Sequence, residues 1–155
     1  MAQWTAQTRL NAYPDEVLML LTEPDAISRW APIAFDVVDW DGHRLMAGDR
    51  VRVEGQLVGR RLEFEVDVDQ AHDGRLALTA HGAIRLDVEY EALELDDGSE
   101  LHAAVTVSGG GFIGRVLAQA TDALLAAGAL RLALERISRQ LDREYEFGLE
   151  PALAA

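Results

Sequence analysis

The chain has 155 residues, enough for one domain with an ordinary core, and its 49% hydrophobic and 26% charged residues exclude a disordered or low-complexity class. The 27 acidic residues outnumber the 14 basic ones, and the resulting charge of -13 disfavours binding to nucleic acid or stable docking on an anionic membrane. Every basic residue is arginine and cysteine is absent, which excludes a lysine Schiff base, a thiol nucleophile and a thiolate metal site.

The N-terminal part predicts a strand followed by two short helices. Residues 2–11 alternate between polar and apolar and form the expected strand. The first helix begins at Pro14 with two carboxylates in its first turn, where the helix dipole favours them, and the second begins at Pro24 and ends before Pro32. Since the N-terminus lacks the basic start and apolar stretch of a signal peptide, a cytoplasmic location is expected.

The middle of the chain predicts an antiparallel sheet. From Ile33 onward apolar residues recur at every second position, and turn signals such as Asp73-Gly74 interrupt them at regular intervals. The predicted strands cover residues 33–40, 49–58, 61–70, 75–82, 84–94 and 99–108. These six strands are expected to be antiparallel neighbours joined by hairpins, and the opening strand brings the number to seven.

The alternation within these strands sorts the side chains onto two faces. The dry face carries Val51, Val53, Gly55, Leu57, Leu62, Phe64, Val66, Val68, Ile84, Leu86, Val88, Tyr90, Leu101, Ala103, Val105 and Val107. The wet face carries Arg50, Arg52, Glu54, Glu63, Glu65, Asp67, Arg85, Asp87, Glu89, Glu91 and His102. A sheet with one dry face needs a covering layer on that side.

The last long element supplies that cover. A proline-free run from Gly109 to Phe147 predicts a single helix, with one stripe formed by Ile113, Val116, Ala120, Ala123, Ala127, Leu130, Leu134, Ile137 and Leu141. Bulky residues stand at both ends of this stripe, but its centre is alanine. Because a helix that only fills a core normally carries large apolar groups throughout, the alanines predict space left for a ligand.

The order of these elements resembles a known superfamily. The segment from Asn11 to Pro32 is similar to the start of START and polyketide-cyclase (SRPBCC) proteins, with matching residues at Pro14, Glu16, Val17, Leu21, Pro24, Trp30 and Pro32. Gly111, Gly114 and Arg115 open the last helix in the style of that family. The resemblance covers nearly the whole chain in element order.

The resemblance implies an α+β helix-grip fold, in which a curved seven-stranded antiparallel sheet wraps around the C-terminal helix and encloses a cavity. We therefore predict a single START-like ligand-binding domain over residues 1–147 and a flexible tail over 148–155. Members of this superfamily carry lipids, bind hormones or pigments, or cyclise polyketides. No cofactor is expected, and the carboxylate and histidine clusters at Asp36, Asp39, Asp41 and His43 and at Asp67, Asp69 and His72 are interpreted as surface groups rather than metal ligands.

The expected function is binding or transport of a small hydrophobic molecule, such as a lipid, a polyketide or an aromatic compound. The predicted cavity wall combines the dry sheet face, the alanine-lined helix and nearby aromatic residues. Its members are Trp30, Phe35, Val53, Gly55, Phe64, Leu86, Val88, Tyr90, Ala103, Val105, Phe112, Val116, Ala120 and Ala127. Trp30 and Trp40 are interpreted either as core residues or as rings that border the cavity mouth. A wall almost free of ionisable groups suits an uncharged ligand, because an unpaired charge is costly to desolvate.

Two other hypotheses remain open. A polyketide aromatase or cyclase acting in the same cavity would need a proton donor, and the candidates are Tyr90, His81 and Arg85. The apolar run from Ala123 to Leu130 is apolar all round, which is typical of either a homodimer seam or a membrane-contact spot. A purely protein-binding role would combine such a patch with a collapsed cavity.

Overall fold

Seven strands and four helices make up the part of the chain that the structure describes. The computed structural model covers residues 2–31, 35–40, 42–57 and 59–154, and side chains are described for all of these except Ala2, Leu57 and residues 143–154. The order is β1 (Ala2–Leu10), α1 (Pro14–Leu21), α2 (Pro24–Trp30), β2 (Phe35–Val38), β3 (Arg50–Leu57), β4 (Arg60–His72), β5 (Arg75–His81), β6 (Arg85–Leu95), β7 (Gly98–Ser108), α3 (Gly111–Ala126) and α4 (Ala129–Ala154).

The seven strands form one antiparallel sheet in the order β1-β7-β6-β5-β4-β3-β2. Six strands follow one another through hairpins, and β1 closes the order by pairing with β7 along its whole length, from Ala2 opposite Val107 to Leu10 opposite Ser99. The pairing of β4 with β5 shifts between Val68 and Gln70, a bulge of the kind that bends a strand. The predicted helix-grip architecture is confirmed, although the predicted start of β2 at Ile33 lies outside the described residues.

The two short helices begin where the sequence predicts them. Pro14 and Pro24 each occupy the first turn, where the missing N–H would have no helical partner in any case. The first helix buries Val17, Leu20 and Leu21, and the second buries Pro24, Ala26 and Trp30. Both helices therefore pack their apolar sides into the same core as the sheet.

The predicted single C-terminal helix is divided in two at Gly128. This residue has φ +98, and its N–H donates to the Leu125 carbonyl oxygen (3.1 Å), while the Ala127 N–H donates to that of Ala123 (3.0 Å). A left-handed glycine just after the last helical turn is a common way to end a helix. The helix axes on the two sides of the break differ by 56°.

Neither half alone is long and apolar enough to cross a membrane, nor is any other helix among the described residues. Only α3 taken together with Ala129–Asp142, across the bend, passes such a test by length and composition.

The second half of this region, α4, extends further than the sequence predicted. The predicted tail from Gly148 is helical as far as Ala154. A single glycine costs a helix only about 1 kcal/mol relative to alanine, so Gly148 does not end it. The α4 residues Leu130, Ala133, Leu134, Ile137 and Leu141 are buried, and the helix packs chiefly against β1.

The end of β1 is held in close contact with the hairpin between β6 and β7. Gly98 has φ +151, and a Cβ atom there would overlap the carbonyl oxygen of Leu10. Next to it, the buried Ser99 hydroxyl donates to the Ala12 carbonyl oxygen at 2.7 Å. A close backbone approach and one buried hydrogen bond thus fix the chain where it leaves the sheet for α1.

Candidate functional site

The face of the sheet that packs against the helices, called here the inner face, is apolar as predicted. Its fully covered side chains alternate along each strand. They include Val51, Val53, Phe64, Val66, Val68, Leu76, Ala80, Leu86, Tyr90, Ala92, Leu101, Ala103, Val105 and Val107. No Asp, Glu, Arg or His is buried among the residues whose side chains are described. A ligand on this face would therefore meet neutral groups.

The centre of the inner face is not covered completely. Leu78 of β5, Val88 of β6 and Trp4 of β1 lie in one register row across the sheet and are only partly buried, although Val105 in the same row is 3% exposed. Phe35 and Leu62 are likewise partly buried against the core. These residues are therefore covered less completely than their neighbours in the core.

The helix face that covers this surface differs from the predicted stripe. In α3 the buried residues are Gly114, Leu117, Thr121 and Leu125, whereas the stripe residues Ile113 and Val116 are 56% and 46% exposed. The α3 half of the stripe is therefore wrong and the α4 half, from Leu130 to Leu141, is confirmed. The physical reason is the left-handed turn at Gly128. Because of it, α3 and α4 do not continue one helical stripe, and a different side of α3 faces the sheet.

The predicted cavity wall is spread over three environments. Trp30, Val53, Gly55, Phe64, Leu86, Tyr90, Ala103 and Val105 are buried, and Phe35, Val88 and Ala120 are half-buried. Phe112 is 84% exposed, and Val116 and Ala127 are also exposed. Val116 and Ala127 belong to the stripe half that the helix break turns away from the sheet, and Phe112 lies beside that half, so these three are not part of the covered surface.

Trp30 and Tyr90 form the aromatic centre of the buried set. Their ring centroids lie 5.3 Å apart with the planes at 81°, an edge-to-face contact between α2 and β6. Trp30 is therefore a core residue, whereas Trp40 is half-buried and donates from Nε1 to the His43 carbonyl oxygen (2.7 Å). Burial raises the pKa of the Tyr90 hydroxyl above its usual range, which keeps this group protonated.

The other two catalytic candidates lie on the opposite, outer face. His81 is exposed and lies 3.2 Å from Asp67, and Arg85 is exposed and pairs with Asp87 at 3.2 Å. The loop at Gly82 does not turn His81 inward. Of the three candidates, only Tyr90 reaches the inner face, and no group of three or more potential metal ligands occurs among the described residues.

The ion pairs of the outer face make one pH-dependent prediction. The Arg50 Nε donates to Asp67 at 2.8 Å and, with a smaller contribution from His81, lowers the pKa of this carboxyl below its ordinary value of 3.8. A carboxylate with a lowered pKa stabilises the folded state above the unfolded-state value and loses that effect as the pH falls through the folded-state value. We expect Arg50→Gln to raise the pKa of Asp67 in a side-chain NMR titration, whereas Arg60→Gln, at the other end of β4, should leave it unchanged. An unchanged pKa in the first variant would contradict the pairing.

An open groove outside the predicted cavity lies where the α3–α4 bend passes the β1 edge. Its volume is about 1050 Å³. Its walls combine the bend with outward-facing residues of β1, β6 and β7, including Thr5, Gln7, Glu89, Glu91 and His102. Of the predicted cavity wall it includes Ala103 and Ala127. The sequence did not predict this groove because it depends on the bend.

The sheet, its apolar inner face and the two C-terminal helices over it define a helix-grip protein of the START-like class. The chain belongs to the family described as polyketide cyclase / dehydrase and lipid transport, whose family model matches residues 1–146. No curated protein matches the chain.

Several solved structures share the fold. Protein CV1439 of Chromobacterium violaceum is 16% identical with a TM-score of 0.67, over 90% of this chain and 97% of that one. A START superfamily protein of Mycobacterium smegmatis is 14% identical with a TM-score of 0.64, over 90% and 98% of the two chains. DynU16, a protein of the dynemicin biosynthetic locus, is 18% identical with a TM-score of 0.57, over 90% of this chain and 47% of its own. At these identities the likeness shows the fold alone.

Proposed function

We propose that this protein binds or transports a small, uncharged hydrophobic molecule between the inner face and the helices α3 and α4. The observation that carries the proposal is the inner face itself, which is predominantly apolar and only partly covered at Leu78 and Val88. Burying apolar ligand surface there would contribute roughly 25 cal/mol per Å². The family description, which includes lipid transport, supports the same role.

The lack of buried charge among the described side chains narrows the class of ligand. All arginine and carboxylate side chains paired on the sheet lie on the outer face, for example Arg75 with Glu89 at 2.9 Å. A charged ligand group buried on the inner face would lose its hydration without a counter-ion, which is strongly unfavourable. A neutral probe such as N-phenyl-1-naphthylamine is therefore the appropriate test molecule, and its fluorescence should rise saturably on binding.

A pair of tryptophan substitutions on α3 tests the location. Ala120 is half-buried against the core and Ala127 is exposed, so Ala120→Trp should fill the space over the inner face while Ala127→Trp should not. We expect Ala120→Trp to weaken binding of the naphthylamine about tenfold or more and Ala127→Trp to leave it unchanged.

Thermal unfolding of both variants serves as the control, because an overpacked core would lower the melting temperature sharply. Equal binding by a folded Ala120→Trp variant would place the ligand elsewhere. Mass spectrometry of small molecules that copurify with the wild-type protein would identify the natural ligand directly.

A polyketide cyclase is the second candidate, and Tyr90 is the observation that favours it. Its buried hydroxyl stays protonated, so it would donate a hydrogen bond to a keto oxygen and polarise that carbonyl while a ring closes. Incubation with a synthetic poly-β-ketone, followed by mass spectrometry, would then give a cyclic product that has lost water, and Tyr90→Phe would abolish it. Saturable binding without a cyclic product would contradict the cyclase function and support the carrier function.

The predicted homodimer seam or membrane-contact spot stays a prediction. Within the predicted run from Ala123 to Leu130, the side chains of Ala123, Leu124, Ala126 and Ala127 are exposed, whereas Leu125 and Leu130 are buried. Sedimentation at several protein concentrations would test the dimer.

A further inference from the structure

Two buried aromatic side chains on the inner face carry polar groups without a partner. Trp30 is 3% exposed and Tyr90 is 1% exposed. Neither the Trp30 Nε1 nor the Tyr90 hydroxyl has a hydrogen-bond partner among the described residues. Buried tryptophan N–H and tyrosine O–H groups normally find one, and an unpartnered group of this kind is costly. Two unpartnered donors in one cluster are therefore unusual for a protein core.

The other described tryptophan and tyrosine side chains do have hydrogen-bond acceptors. Trp4 Nε1 donates to Asp122 Oδ1 at 3.0 Å, and Trp40 Nε1 donates to a backbone carbonyl oxygen. The Tyr13 hydroxyl, on the surface, donates to the Asp96 carbonyl oxygen at 3.3 Å. Of these five aromatic side chains, only Trp30 and Tyr90, whose rings are in contact on the inner face, have no acceptor.

The buried hydroxyls among the described residues are not partners of these two donors. Those of Thr22, Ser99 and Thr121 donate to backbone carbonyl oxygens at 2.7 to 2.9 Å, and none of them bonds to Trp30 or Tyr90. In the register row that contains Tyr90, the next two side chains are the methyl groups of Ala103 and Ala6. Short apolar neighbours on this side leave the ring beside small groups rather than beside polar ones.

We propose that the Trp30 Nε1 and the Tyr90 hydroxyl bind a carbonyl-type oxygen of the hydrophobic ligand. This inference rests on the proposed function and names the chemical class of its ligand. Both groups are neutral donors, and a carbonyl oxygen has two lone pairs with which to accept. A neutral ketone, aldehyde or ester fits this site better than a carboxylate, because no described residue places a buried cation beside the donors. The half-buried Arg136 of α4 donates instead to the Ala31 carbonyl oxygen at 3.4 Å.

A matched pair of probes tests the proposal. 2-Acetylnaphthalene and 2-ethylnaphthalene have nearly the same size, but only the first carries a carbonyl oxygen. We expect the ratio of their affinities, ketone over hydrocarbon, to fall about tenfold in Tyr90→Phe, equivalent to about 1.4 kcal/mol, and to fall similarly in Trp30→Phe. Tyr13→Phe removes a hydroxyl that lies elsewhere and should leave the ratio unchanged. The infrared carbonyl band of the bound ketone should move to higher wavenumber in Tyr90→Phe.

The stability of the ligand-free variant gives a second, independent readout. Since Tyr90→Phe removes a hydroxyl that has no partner, its melting temperature should equal or exceed that of the wild type. A lower melting temperature with an unchanged affinity ratio would show that the hydroxyl serves the fold, and would overturn the proposal.

Two further outcomes separate this inference from the proposed function. If both probes bind saturably and neither inner-face variant changes their ratio, the carbonyl site is wrong while hydrophobic binding stands. If neither probe binds, both fall.

Discussion

Replacing Gly98 by alanine is expected to destabilise the folded protein by about 3–5 kcal/mol. Gly98 has φ +151, a conformation that side-chain-bearing residues rarely adopt. The new Cβ would also overlap the carbonyl oxygen of Leu10, which is held in place because Leu10 is 3% exposed and pairs with Ser99. Neither the turn nor the strand can move without opening the junction between β1 and β7.

Urea unfolding of Gly98→Ala and of a control variant separates these two causes. Gly59 also has positive φ, +71, but a Cβ there would meet nothing within 4 Å. Gly59→Ala should therefore cost only the conformational strain, about 1–2 kcal/mol. Equal losses in the two variants would show that the contact with Leu10 does not constrain the fold.

Truncating Leu134 to alanine is expected to cost about 3–5 kcal/mol, whereas truncating Val116 should cost less than about 1 kcal/mol. The sequence places both residues on one helical stripe. In the structure Leu134 is 1% exposed and Val116 is 46% exposed, because Gly128 separates their helices. A cavity at Leu134 would be enclosed by core atoms, while the truncated side chain at Val116 would be replaced by water.

Denaturant titration of the two variants, with far-ultraviolet circular dichroism as the signal, measures both losses. Similar large costs at the two positions would mean that α3 and α4 present one continuous buried face, as a single straight helix would.

The sheet could be predicted because the alternation of inward and outward side chains along a strand is visible in a short stretch of sequence. Along β3, β4 and β7 every second side chain faces the core, so residues such as Val53, Phe64 and Val105 mark the inner face by alternation alone. Glycine-containing turns between strands then identify the hairpins. Alternation does not give the pairing of β1 with β7, because these strands lie nearly the whole chain apart in sequence.

The helix break was harder to predict because α3 carries two stripes that could each face the sheet. Leu117, Thr121 and Leu125 form an equally regular stripe with a spacing of four residues, and the choice between stripes depends on how the helix rests on the sheet. Gly128 was a visible signal, but an isolated glycine inside a helical pattern is often tolerated.

The candidate site was only half predictable for a related reason. Alternation places Tyr90 on the inner face, and that expectation is confirmed. Its contact with Trp30, sixty positions earlier in the chain, arises from the packing of α2 against the sheet. Which donors lack acceptors depends on every neighbour in three dimensions, and no sequence pattern records it.

The two free edges of the sheet differ in a way that bears on aggregation. An unpaired edge strand is a template on which another chain can add a strand, and proteins avoid this by shortening or covering such edges. Here β2 is only four residues long, and the nine-residue β1 is flanked by α4. Helix α4 thus covers the longer edge as well as the core. A chain that lost α4 would expose β1 as a strand competent for amyloid-like pairing.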